Sequence, residues 1–171
     1  MNNATKLALT LLNNALKLTV TNVDCLSERE IDIMQATSIL YAENKEYEKS
    51  INILKRCLKN FENLDFPRDK EIKLKVVFNL TKCLNLMDQY EESIKYSDKG
   101  IKIAINLNTL YLLGELYYLK ASNLLKLKQP NEEAVVNNMK KALFIFELTE
   151  KEHYIQMIKE KLIEIQNKKH S

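Results

Sequence analysis

A five-residue pattern returns at a spacing of 43 residues: Tyr47-Glu48-Lys49-Ser50-Ile51 is matched by Tyr90-Glu91-Glu92-Ser93-Ile94. Each copy opens an amphipathic stretch that follows another one. Between Val76 and Ala104, Val77, Leu80, Leu84 and Met87 keep one face of the first stretch apolar. Ile94, Ile101 and Ala104 do the same for the second. Apolar residues three and four apart mark helices, so the unit is two helices joined by a short turn. One such hairpin cannot bury both apolar faces and needs neighbours of its own shape. Further landmarks keep the period: Ser38, Thr81 and Ser122 fall at matching places, and so do Cys57, Gly100 and Ala142, small or compact residues suited to close helix crossings. Helix pairs repeating at about 34 to 47 residues build an α-solenoid, so the expected class is all-α, with three to four stacked hairpins.

The punctuation agrees. Two glycines and two prolines in 171 residues leave room for helices and short turns and little else. Ser27 with Glu30, Asp88 with Glu91 and Thr149 with Glu152 each read as capping boxes that start a helix. Pro67 marks the clearest break. The spacing predicts hairpins over 26–62, 69–106 and 108–148, and a last helix over 150–167 that caps the stack. Asn3 to Thr19 reads as a helix with Leu7, Leu11, Ala15 and Leu18 on one face. It resembles the second helix of a hairpin, so 1–25 reads as an incomplete first repeat. Residues 1–171 are then expected to be a single domain, the C-terminal part of a longer protein.

Composition narrows the function. A net charge of +3 is mild, and Arg29, Arg56 and Arg68 are the only arginines, which argues against nucleic-acid readout by these residues. Cys25, Cys57 and Cys83 are odd in number and widely spaced, the usage of reduced, packed thiols in a cytoplasmic protein. No signal peptide or membrane span is apparent. Phosphate-loop, dinucleotide, zinc-protease and serine-hydrolase motifs are absent, and His153 and His170 are too few for a metal site or a triad. Neither an enzyme activity, a cofactor nor a metal is expected.

What remains is a surface. In stacked hairpins the first helix of each pair lines the concave side. Those helices would point Gln35, Ile39 and Glu43 inward from the first hairpin. Lys75, Phe78, Asn79 and Lys82 follow from the second, and Lys120, Asn123 and Leu127 from the third. Asparagine amides pair with both groups of an extended peptide backbone, lysines suit a carboxylate, and apolar plates take side chains. The expected ligand is a short peptide or a protein C-terminus. The expected contacts are Asn79, Lys75, Phe78, Lys82, Lys120, Asn123 and Gln35.

The hairpins resemble tetratricopeptide repeats. The run from Tyr96 to Leu127, with Lys99-Gly100-Ile101 and then Leu110 to Leu116, resembles a narrower set, as does Lys140 to Tyr154: the peptide-pheromone receptors of Gram-positive bacteria, the Rap, Rgg, NprR, PlcR and PrgX group. The resemblance spans nearly the whole chain. It implies a concave face that binds a short, re-imported signalling peptide, in a quorum-sensing regulator of transcription. Phe78-Asn79-Leu80 matches the setting in which that family holds the peptide backbone with an asparagine, which singles out Asn79. The transcription factors of the group bind DNA through a helix-turn-helix that these residues do not contain, and a homodimer is a further possible partner. A phosphatase-like role would need an added three-helix bundle. The alternative is a general adaptor that clamps a partner's C-terminus, with Asn79 and Lys120 in clamp positions and Ile39 where an amide is wanted.

Overall fold

The computed structural model describes residues 3–19, 26–62 and 70–168. These residues form eight helices: α1 (Asn3–Thr19), α2 (Glu28–Glu43), α3 (Tyr47–Glu62), α4 (Lys70–Leu86), α5 (Tyr90–Asn106), α6 (Leu113–Lys126), α7 (Glu132–Leu148) and α8 (Glu152–Lys168). The expected loop at 20–25, the break at 63–68, and Cys25 and His170 lie outside the described residues.

The chain divides into two compact units, Met1–Asp88 and Gln89–Ser171. In the first, α1 packs on α2, α2 on α3 and α3 on α4, and α2 also reaches α4. In the second, α5 packs on α6, α6 on α7 and α7 on α8. Helices stacked in chain order are the all-α solenoid arrangement that the repeats imply.

Each unit has its own core. In the first, Ile31 of α2, Leu54 and Cys57 of α3, and Val77, Leu80 and Leu84 of α4 are fully buried. In the second, Ala121 of α6, Met139 and Phe146 of α7, and Ile158 and Ile165 of α8 form one buried cluster. Each large apolar side chain so buried contributes about 1.5–3 kcal/mol. The recurring small residues Cys57, Gly100 and Ala142 are all buried. Gly114 is a close approach of α6 to α7, since a Cβ there would stand 2.8 Å from the Phe146 ring.

The turns depart from the expected caps in an instructive way. Only the first of the three capping boxes forms: Ser27 and Glu30 exchange side-chain and backbone bonds at the start of α2. Asp88 instead adopts a left-handed conformation (φ 56°) past the end of α4, and Gln89, which precedes α5, makes no side-chain cap bond. Thr149 turns its hydroxyl back to the Ile145 carbonyl at 2.8 Å and closes α7 rather than opening α8. Lys45, Asn108 and Glu150 are also left-handed. In each case the next residue's N–H reaches the carbonyl five residues back, as in Glu46 to Tyr41, Thr109 to Ala104 and Lys151 to Phe146. That is the Schellman ending of a helix. The α6 helix starts at Leu113, later than the expected hairpin start at 108, because Thr109 Oγ1 accepts from Tyr111 N and Leu112 is left-handed.

The apolar face assigned to α1 is also corrected. Leu7, Leu11 and Leu18 are exposed, at 61, 60 and 87 %, and α1 meets α2 with Leu9 buried instead. At the chain's other end the last helix packs as expected, burying Ile155, Ile158 and Ile165, with Tyr154 stacked on Phe146 at 4.5 Å.

Candidate functional site

The α4 helix buries Val76, Val77, Leu80, Thr81 and Leu84 completely. Lys75, Phe78, Asn79, Lys82 and Leu86, spaced by one to four residues, share the stripe left open. The first three of these are half-buried, and Lys82 and Leu86 are exposed. Beside this stripe α2 presents Ile39, Ala42 and Glu43, and α3 contributes Ser50. Together with Asn79, Lys82, Cys83 and Leu86 they line a depression of about 240 Å³ within the first unit. Sites that enclose a whole small molecule run to about 300–1,000 Å³, so this size suits one side chain of an extended ligand.

The lining is mixed. Ile39 and Leu86 are apolar, Asn79 offers an amide, Lys82 an ammonium and Glu43 a carboxylate. The Lys82 ammonium stands 5.5 Å from the Phe78 ring centroid, a cation–π contact that leaves its hydrogens available to a ligand. At the base, Cys83 is buried with its sulfur 3.3 Å from Ser50 Oγ. Burial pushes the Cys83 thiol up, against the opposing pull of Ser50 and Lys82. Burial likewise pushes Cys57 up to about 12. Thiols held neutral are poor nucleophiles, and no cluster of metal-ligating side chains occurs among the described residues. The arrangement is equipped to hold a peptide backbone and an apolar side chain.

Of the expected contacts, Asn79 and Lys82 come together in the depression, with Ile39 and Glu43 also there. Lys75 and Phe78 lie on the same α4 stripe. Gln35 is buried in α2, only 7 % exposed. Asn123 is sealed inside the second unit, where its Nδ2 donates to Ser93 Oγ at 2.7 Å and ties α6 to α5. An amide so committed is a structural strut, and Asn123 leaves the list of ligand contacts. Lys120, also in the second unit, bridges to Asp98 of α5 at 2.6 Å. Reasoning from the sequence passed over Ala42, Ser50, Cys83 and Leu86. Leu86 stands seven residues after Asn79, so the helical period alone could have found it.

Residues 2–165 match the RNPP family C-terminal domain. Among solved structures, the chain is similar to Bacillus thuringiensis PlcR in complex with the peptide PapR7 and DNA. Identity is 30%, the TM-score is 0.78, and the match covers 90% of this chain and 53% of that one. Apo PlcR from the same organism gives 30% identity and a TM-score of 0.80 over 92% of this chain and 56% of that one. The apo form of RapI shares the fold, at 17% identity and a TM-score of 0.78, covering 95% and 56%. The chain thus spans a little over half the length of these structures. No curated protein matches it at a significant level.

Proposed function

The chain belongs to the RNPP family, and from that membership we propose that residues 1–171 are the peptide-sensing domain of a quorum-sensing transcriptional regulator. Its ligand is a short signalling peptide. PlcR, 30% identical, is known in complex with the peptide PapR7 and DNA. In this chain the observation that carries the reading is the α2–α4 depression, where Asn79, Lys82 and Glu43 surround the apolar Ile39 and Leu86. Asn79 pairs with the peptide main chain, Lys82 with a carboxylate, and Ile39 with Leu86 receives a side chain. Lys75 and Phe78 extend the contact along α4. Gln35 supports α2 from within.

The domain works by binding and carries out no chemistry of its own. It acts in the cytoplasm, on peptide brought back into the cell. DNA contact belongs to residues outside 1–171, and the peptide controls it only as far as it binds one arrangement of the protein better than another.

Amide chemical-shift mapping tests the site, using the tightest short peptide selected on the protein from a random display library. Perturbations are expected on α2 around Ile39 and Glu43 and on α4 from Lys75 to Leu86. Perturbations confined to α7 and α8 would contradict the proposal.

A further inference from the structure

The last residue of α2 is a carboxylate. Glu43 stands where the end carbonyls of the helix already gather partial negative charge, and the last turn of α2 holds no basic residue. A cation is the stabilising choice at that end. A side chain set against its own helix in this way points to a task outside the helix. Glu43 is exposed and lines the α2–α4 depression.

Lys82 lines the same depression from α4 and is exposed too. The two charges are opposite, yet among the described residues they form no ion pair with each other or with any other side chain. Lys82 rests over the Phe78 ring, a contact that leaves its charge in place. The rest of the lining is neutral. Ile39, Ala42 and Leu86 are apolar, Asn79 is an amide, and Ser50 and Cys83 are buried with Oγ and sulfur 3.3 Å apart. The depression therefore offers an apolar receptor with one charge of each sign, drawn from two helices. Side chains of an extended peptide alternate between faces, so residues two apart point the same way, about 7 Å from each other. A residue that fills the depression brings those two positions away over its surroundings.

We propose that this site selects a charge-balanced peptide segment: an apolar residue with an acidic residue two positions away on one side and a basic residue two positions away on the other. The acid meets Lys82, the base meets Glu43, and the apolar side chain enters against Ile39 and Leu86. This selectivity rests on the peptide reading of the depression and determines which peptides it accepts.

Titrations followed by amide chemical shifts test it with three pentapeptides, acetylated and amidated so that their ends carry no charge: Asp-Ala-Leu-Ala-Lys, Asp-Ala-Leu-Ala-Asp and Lys-Ala-Leu-Ala-Lys. An exposed ion pair changes an equilibrium constant by up to about fivefold. Trading one attraction for a repulsion should therefore separate the balanced peptide from the other two by about tenfold at low salt. The screening length falls to about 3 Å at 1 M salt, so the gap should close there. Glu43→Lys should move the preference to the peptide with two aspartates, and Lys82→Glu to the one with two lysines. A short peptide selected from a random display library is the control. If it leaves α2 and α4 unperturbed, the peptide reading fails and the selectivity with it. If it perturbs them while the three pentapeptides bind equally or not at all, or while Glu43→Lys leaves their order unchanged, the peptide reading stands and the charge rule is overturned.

Discussion

Asn79 and Asn123 carry the same amide into opposite surroundings, and their substitutions should separate accordingly. Asn123 is fully buried and donates to Ser93 Oγ, so Asn123→Ala removes a buried hydrogen bond between α6 and α5 and should cost about 1–3 kcal/mol in urea unfolding. Asn79 is half-buried on an open stripe, and Asn79→Ala should change stability by no more than about 0.5 kcal/mol. Gly114→Ala forces a methyl to within 2.8 Å of a ring that is itself buried and stacked on Tyr154. Despite alanine's better helix propensity, the crowding should win by about 1–2 kcal/mol, read as a lower Tm. Cys57 gives a pH signature. Its folded thiol is pushed up to about 12 from an ordinary value of 9.0, so the folded state prefers the neutral form. Its contribution is complete below pH 9 and is lost as pH rises toward 12, with a slope of at most about 1.4 kcal/mol per pH unit. Unfolding series between pH 8 and 11 should therefore show a steeper loss in the parent than in Cys57→Ala.

At the scale of elements, the helix ends hold most of the surprises. Lys45, Asp88, Asn108 and Glu150 all occupy left-handed positions that glycine fills at no steric cost. Lys45→Gly should therefore raise stability by about 0.5–1 kcal/mol, measured by thermal unfolding. The recurring Tyr-Glu-x-Ser-Ile pattern was enough to place the helices and the buried small residues Cys57, Gly100 and Ala142, because periodicity and residue size are local properties. Asp88 and Thr149 misled for the opposite reason. Each can serve a helix start or a helix end, and only the path of the chain decides which. Asp88 ends α4, and the Thr149 hydroxyl returns to Ile145. Asn123 and the Leu7 face of α1 failed similarly. Helical spacing gives a residue's angle around its own helix, but the neighbouring helix determines which angle is covered. Spacing alone put Asn79 and Lys82 on one open face of α4, whereas Ser50 and Cys83 line the depression beside them through contact between α3 and α4, which no single-helix pattern displays.

At the scale of the molecule, the chain is an RNPP-family domain of stacked helices. Membership of the RNPP family rests on the match over residues 2–165, and the proposed ligand on the character of the α2–α4 depression. Calorimetric titration of a library-selected short peptide into the wild-type protein and into Asn79→Ala tests that claim most directly. The account predicts a loss of about tenfold or more in affinity, equivalent to about 1.4 kcal/mol, at an unchanged Tm. Equal affinity in the two proteins would contradict it.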